Sequence, residues 1–231
     1  MTSDDPGRVC LALDTSTPVG SVAVAVGDRV VARARLTKQA RHASALLPAV
    51  DETLAAAGVD PRGVDALVVG EGPGSFTGVR VAAAKAKGLA RSLNRPLYAV
   101  SSLAGEALRH DGPAVRYAIF DARAERVYGA CYGVGSARVE TLVKPHAAEL
   151  RDLLAGDVPA GAAFVGDGAE RHRGVIEGAG FQLEVAEGEA TSADGLLRWL
   201  VRTPAARPLE DGASWGPEYG RVSGAERLWA T

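Results

Sequence analysis

At 231 residues, with 47% apolar and 23% charged side chains, the chain is long enough to bury a sizeable core and falls between one large domain and two small ones. A formal net charge of −2 leaves no electrostatic footprint for direct, phosphate-driven binding of nucleic acid, so a role on RNA calls for a positive surface on another chain. Cys10 and Cys131 are too few and too far apart for a disulfide framework, and each sits in an apolar run that suits a reduced, buried thiol. The opening residues carry two aspartates and a proline without a basic start or an apolar stretch, and no apolar run approaches membrane-spanning length. The expectation is a cytoplasmic protein with no membrane contact.

In chain order, the first half opens with three β-rich runs, Val9–Leu13, Ser21–Val26 and Val30–Leu36, the last two joined by the tight-turn pair Gly27-Asp28. Leu46, Leu47, Val50 and Leu54 mark a helix over about Ser44–Ala57 that stops at Gly58. A buried strand Ala66–Val69, a helix Thr77–Leu93 and a strand Leu97–Val100 follow. The second half repeats the order: strands Tyr117–Phe120, Val127–Tyr132 and Val139–Val143, a helix Ala147–Leu154, a strand Ala162–Val165, a helix before Gly180, a strand Phe181–Val185 and a last helix Ala193–Val201. Both halves read β-β-β-α-β-α-β, and each first strand ends in an aspartate, Asp14 and Asp121. The pattern predicts an α/β protein of two lobes with mixed sheets, hairpin strands antiparallel and later strands parallel through right-handed crossovers; an unrelated two-layer sandwich is the plainer alternative.

Two motifs stand at strand ends. Asp14-Thr15-Ser16 begins a turn whose hydroxyls and amides suit a phosphate, with the carboxylate free to orient a metal or a water; an ordinary hydrogen-bonded turn explains the same residues. Gly70-Glu71-Gly72-Pro73-Gly74-Ser75-Phe76-Thr77-Gly78 leads from a strand into an alanine-rich helix, where glycines permit close approach and the helix start offers free amides. Its spacing is neither the P-loop nor the dinucleotide fingerprint, and Ser75 or Thr77 would also serve as a cap. A residual nucleotide-like site is therefore expected at Asp14, Thr15, Ser16, Gly72, Gly74 and Ser75. The helix after the corner carries Ala82, Ala83, Ala84, Ala86, Gly88 and Ala90, and small side chains allow a second helix to approach; Ala82, Ala83 and Ala86, extended by Leu46, Leu47 and Val50, form the expected partner surface. The four histidines are isolated, no cluster has metal-ligand spacing, and no nucleophile stands beside a base.

These stretches resemble the TsaB family, the smaller actin-like (ribonuclease H-like) subunit of the bacterial machinery for tRNA threonylcarbamoyladenosine. The carrying residues are Leu13-Asp14-Thr15-Ser16, Leu46-Leu47-Pro48, Gly72 through Arg80, Lys87-Gly88-Leu89-Ala90, Asp121-Ala122-Arg123 with Val127-Tyr128, and Pro217-Glu218-Tyr219-Gly220-Arg221. The chain departs from the family pattern at His42-Ala43-Ser44, at Arg80-Val81-Ala82 and at Gly220.

The resemblance implies a scaffold without chemistry of its own. It would pair with the catalytic relative TsaD through helices of an N-terminal lobe (residues 1–103) and help recruit the ATPase TsaE; a C-terminal lobe spans 104–231, its last segment free to pack back on the first. The complex would place the N6-threonylcarbamoyl group on adenosine 37 of tRNAs reading codons that begin with A, with tRNA contacted only indirectly and a homodimer forming when the chain is alone. No cofactor is implied beyond a weak contact with ATP or ADP. Where TsaD carries two metal-binding histidines at i, i+4, this sequence has Ser102 and Glu106, and a hydroxyl with one carboxylate cannot replace two imidazoles on a transition metal. The competing expectation is an actin-fold ATPase or phosphotransferase that uses Asp14 or Asp121 as its acid or base.

Overall fold

The computed structural model describes residues 7–36, 42–186 and 189–217; residues 218–221 of the C-terminal motif and the side chain of His42 lie outside them. Size alternation along the first strands decides how the layers stack. In β1 (Val9–Asp14), β2 (Gly20–Val26) and β4 (Ala66–Gly70), Leu11, Leu13, Val22, Val24, Leu67 and Val69 point to one side of the sheet. Cys10, Ala12, Ala23, Ala25, Ala66 and Val68 point to the other. The large side chains form a core with α1 (His42–Ala56) and α2 (Phe76–Leu93). The small ones leave room for a helix to lie close against the opposite face. β3 (Arg29–Leu36) exposes alternate residues, Arg29, Arg33 and Arg35 among them, as suits a charged edge strand.

The first sheet has the order β3-β2-β1-β4-β5, with β5 at Leu97–Val100, and β1 is antiparallel to β2 but parallel to β4. The second sheet repeats it. Its strands are β6 (Val115–Asp121), β7 (Arg126–Val134), β8 (Val139–Glu149), β9 (Ala162–Val165) and β10 (Gln182–Leu183), in the order β10-β9-β6-β7-β8. Each strand of the first half thus has its counterpart in the second, and the duplicated α/β, actin-like architecture is established. Tyr117, Ile119, Phe164 and Ile176 form a third core under α4 (Leu150–Ala155), α5 (Asp167–Arg171) and α6 (Arg173–Gly178).

Two helices exchange sides. α3 (Ser102–Arg109), from the first half, packs on β6 and β7, whereas α7 (Ser192–Val201), from the second half, packs on β1, β2 and β4. The two helices also pack on each other, and the core between the sheets is continuous. They cross at two glycines: a Cβ on Gly195 would lie 1.8 Å from the Gly105 carbonyl oxygen, so neither position has room for one. Past α7, the Leu209 amide donates to Leu97 O at 2.8 Å along the edge strand β5. Lys87 on α2 donates to Ala213 O at 3.0 Å and to Trp215 O, which ties this segment to the first lobe.

Several expectations require correction. α3 has no place in the sequence reading because Ser102 and Glu106 face inward with its apolar residues, so polarity does not mark its outer side. Ala147 and Ala148, expected in a helix, continue β8 opposite Tyr128 and Val127, and the helix starts only at Leu150. The expected partner surface also fails for most of its members. Leu46, Val50, Ala82, Ala83 and Ala86 are all buried, and all but Ala83 belong to the core beneath the first sheet; Leu47 alone is half-buried. Small residues on α2 serve helix-to-sheet contact, and its outward face is carried instead by Thr77, Arg80, Ala84 and Gly88.

Gly195→Ala is expected to lower stability by about 2–3 kcal/mol, because backbone must move to admit the methyl. Gly174→Ala, on α6 with nothing within 4 Å of the added carbon, should be neutral or slightly stabilising. Urea unfolding followed by circular dichroism measures both.

Candidate functional site

The Asp14 turn and the glycine corner meet, and they fill one another. The Ser75 amide donates to Ser16 O at 2.7 Å, and Thr15 Oγ1 donates to Gly78 O at 2.6 Å. A Cβ on Gly74 would lie 2.4 Å from Ser16 O, and one on Gly78 would lie 1.9 Å from Thr15 O. The glycines thus let backbone approach backbone, and no space for a phosphate is left between them. Asp14, Thr15, Ser16 and Gly72 are buried, Gly74 is partly covered, and exposed Ser75 caps α2 by accepting the Gly78 amide at 3.3 Å. The six residues expected to form a nucleotide-like site are together, but as a closed joint.

Asp14 is sealed inside this joint. Its Oδ1 accepts the Ser16 amide at 2.8 Å and the Ser102 hydroxyl at 3.3 Å, and Ser102 Oγ accepts the Gly72 amide at 3.2 Å. Burial raises the Asp14 pKa above the ordinary carboxylate range despite these hydrogen bonds. Ser102 and Glu106 lie one turn apart on α3 and face different partners. Glu106 Oε1 accepts from Arg109 Nε at 2.8 Å and from His110 Nε2 at 3.1 Å. Burial would raise its pKa, but the charges of Arg109 and His110 outweigh that and hold it low. Among the described residues no group of three or more His, Cys, Asp or Glu side chains is placed to hold a metal ion.

The open space lies beside this joint. A cleft of about 400 Å³ separates the lobes, walled on one side by Thr17, Pro18, Val19, Ser21 and Arg35. The other wall comes from Glu106 and Arg109 of α3, Asp167 and Glu170 of α5, and the residues Val185, Ala186, Thr191 and Ser192. Ser21 Oγ lies 3.0 Å from Ser192 Oγ and accepts the Ala193 amide at 3.1 Å, while Arg33 Nε donates to Asp194 Oδ1 at 2.8 Å. These bonds hold the start of α7 to the first sheet at the floor of the cleft.

Gly166 sets the position of Asp167. Its φ of 102° is left-handed territory, and a Cβ there would lie 2.5 Å from Ile119 O and 3.2 Å from Glu106 Cγ. The Asp167 carboxyl is therefore delivered beside Glu106, and burial together with that neighbouring charge pushes its pKa up to about 7. Asp121, the counterpart of Asp14, lies 3.5 Å from Arg171 Nη1 and 3.6 Å from His172 Nε2, and its amide donates to Asp167 Oδ1 at 3.4 Å. Arg35, Arg109, Asp167 and Glu170 had no place among the residues expected from sequence. For Asp167 the sequence offers a local signal in Gly166-Asp167-Gly168, whose glycines pack on the end of β6.

Residues 34–183 match the family model for TsaD, tRNA N6-adenosine threonylcarbamoyltransferase. The chain is 31% identical over 230 residues to the tRNA threonylcarbamoyladenosine biosynthesis protein TsaB of Bacillus subtilis, a match covering 95% of this chain and 96% of that one. The chain belongs to the TsaB family. Among solved structures, YeaZ from Pseudomonas aeruginosa superposes with a TM-score of 0.76 at 31% identity, covering 92% of this chain and 99% of the other. Component A of (R)-2-hydroxyglutaryl-CoA dehydratase from Acidaminococcus fermentans shares the fold alone, with a TM-score of 0.52 at 11% identity over 86% of this chain and 99% of its own. The two buried cysteines of this TsaB-family chain are free, and burial raises the thiol pKa of both, that of Cys131 to about 11.

The Asp167 carboxyl carries a testable pH signature. Its folded pKa of about 7 exceeds the ordinary 3.8, so the native state holds a proton that the unfolded chain releases, and stability falls as pH rises between those values. Asp167→Asn removes the penalty. The variant should be more stable than the parent by about 1–3 kcal/mol at pH 8, with the difference vanishing near pH 4, measured by urea unfolding across that range.

Proposed function

We propose that the chain is a non-catalytic subunit of the assembly that forms threonylcarbamoyladenosine on tRNA, where it holds a TsaD-type catalytic subunit and helps recruit a TsaE-type ATPase. The observation that carries this reading is the divergence of Ser102 and Glu106. At the two positions that the family resemblance pairs with metal-binding histidines of TsaD, the hydroxyl faces Asp14 and the Gly72 amide, and the carboxylate faces Arg109 and His110. Both groups take part in bonds that hold the fold. On this reading the chain brings no cofactor of its own, works in the cytoplasm and reaches tRNA only through its partners.

The alternative as an ATPase or phosphotransferase finds little support. Asp14 is 1% exposed and shut in by the glycine corner, and Asp121 stands between Arg171 and His172. A general base needs access to the group it deprotonates, and Asp14 has none.

The partner surface is best placed on the outward side of α2. Thr77, Val81, Ala84 and Lys85 line a shallow, mainly apolar groove there, together with Phe76, whose ring lies 3.8 Å beneath the Arg80 guanidinium. Ala84 at its centre offers a flat spot on which a second helix can rest, and the same face would serve a homodimer when the chain is alone.

Ala84→Arg should weaken association with the catalytic subunit at least tenfold and leave the melting temperature unchanged, as read by co-elution and calorimetry. Unchanged co-elution would move the interface elsewhere. Ala86→Arg should instead unfold the chain, because Ala86 is fully buried. Added to the other subunits, the wild-type chain should restore tRNA threonylcarbamoylation while showing no ATP turnover alone. Turnover by the isolated chain that Asp14→Ala abolishes would sink the non-catalytic reading.

A further inference from the structure

The cleft between the lobes holds more negative charge than the chain itself neutralises. Glu106 is 4% exposed and lines the cleft; both of its hydrogen bonds fall on Oε1, and Oε2 accepts none among the described residues. Asp167 and Glu170 lie three residues apart on α5 and line the same wall. Neither has a lysine, arginine or histidine of the described residues within ion-pair distance. The nearby cations have other acceptors: Arg109 is held by Glu106 and by Ala190 O at 3.1 Å, and Arg35 at the mouth donates to the same carbonyl at 3.0 Å. The lining also carries apolar side chains, Val19 38% exposed on one wall and Val185 42% exposed on the other.

We propose that the cleft binds a small organic cation, a protonated amine seated between Glu106 and Asp167 with its hydrocarbon chain against Val19 and Val185. The volume of about 400 Å³ is that of a small-molecule site, and its mostly polar lining includes an apolar portion at Pro18, Val19, Val185 and Ala186. A metal ion fits less well, since no three ligands converge among the described residues. An ammonium needs only two or three acceptors and tolerates their spacing along a wall. It would also relieve the crowding of Asp167, which is faced by Glu106 and Arg109 of α3, Asp121 of β6 with Arg171 and His172 beside it, Glu170 of its own helix and Arg35 across the cleft. The Asp167 carboxyl is partly protonated near neutral pH, so an arriving cation displaces its proton, and binding at pH 6 releases protons to the buffer.

The test is isothermal titration of the full chain with 1,4-diaminobutane and butylamine, with butanoate as the anionic counterpart. The amines should bind with a Kd of about 1 mM or tighter, and butanoate should give no saturable heat. Asp167→Asn and Glu170→Gln should each weaken the amines about tenfold, as should Glu106→Gln if it folds. Titration at pH 6 in two buffers of different ionisation enthalpy should show proton release that Asp167→Asn abolishes. Absence of amine binding to the folded chain, amine binding that survives both Asp167→Asn and Glu170→Gln, or tighter binding of butanoate would each overturn the proposal.

Discussion

Everything between the two sheets depends on α3 and α7 crossing at backbone contact. The Gly105 carbonyl sits where a Gly195 side chain would begin, which brings the two helices closer than any pair of alanines would allow. Because each helix lies on the sheet of the opposite half, the crossing binds the lobes together more firmly than a linker would. The first sheet accommodates it with a face of Cys10, Ala12, Ala23, Ala25 and Ala66, and the bonds from Ser21 and Arg33 to the start of α7 hold the helix in register. The core of the molecule is therefore shared between the lobes.

Much of this was legible in the sequence. β1, β2 and β4 alternate large and small apolar residues with a period of two, and that pattern reports both a strand and the unequal depth of the layers on its two faces. The repeated strand order gave the duplication, down to the aspartates that end β1 and β6. What escaped were elements whose polar residues point inward. α3 buries Ser102 and Glu106 because Asp14 at the end of β1 and Arg109, three residues on along the same helix, await them, and the partner from β1 cannot be known from the helix itself. The end of β8 reads as helix until its pairing with β7 is known.

The candidate site was less legible for a related reason. A glycine-rich corner states that something comes close, and only the fold tells what. Here Thr15 and Ser16 come close, some sixty residues away in sequence, and their carbonyls occupy the positions that glycine leaves open. Alanine-rich α2 poses the same ambiguity: Ala82 and Ala86 could equally face a partner or the sheet, and burial against Leu67 and Val69 of the same core resolves it inward.

That closed joint accounts for the division of the cleft into two regions of different character. With the Asp14 turn locked to α2, only Oδ1 of Asp14 accepts hydrogen bonds among the described residues, from the Ser16 amide and the Ser102 hydroxyl, and burial drives the carboxyl toward the neutral form. The second lobe has no such closure. Gly166 turns Asp167 outward beside Glu106, where the first carboxylate is already ionised by Arg109 and His110 and the second must share its field. Aspartates that end equivalent strands therefore diverge in role. Asp14 knits a turn to a helix, whereas Asp121 gathers Arg171 and His172 and donates its amide to Asp167, so that the unpaired charge of the cleft comes to rest on α5.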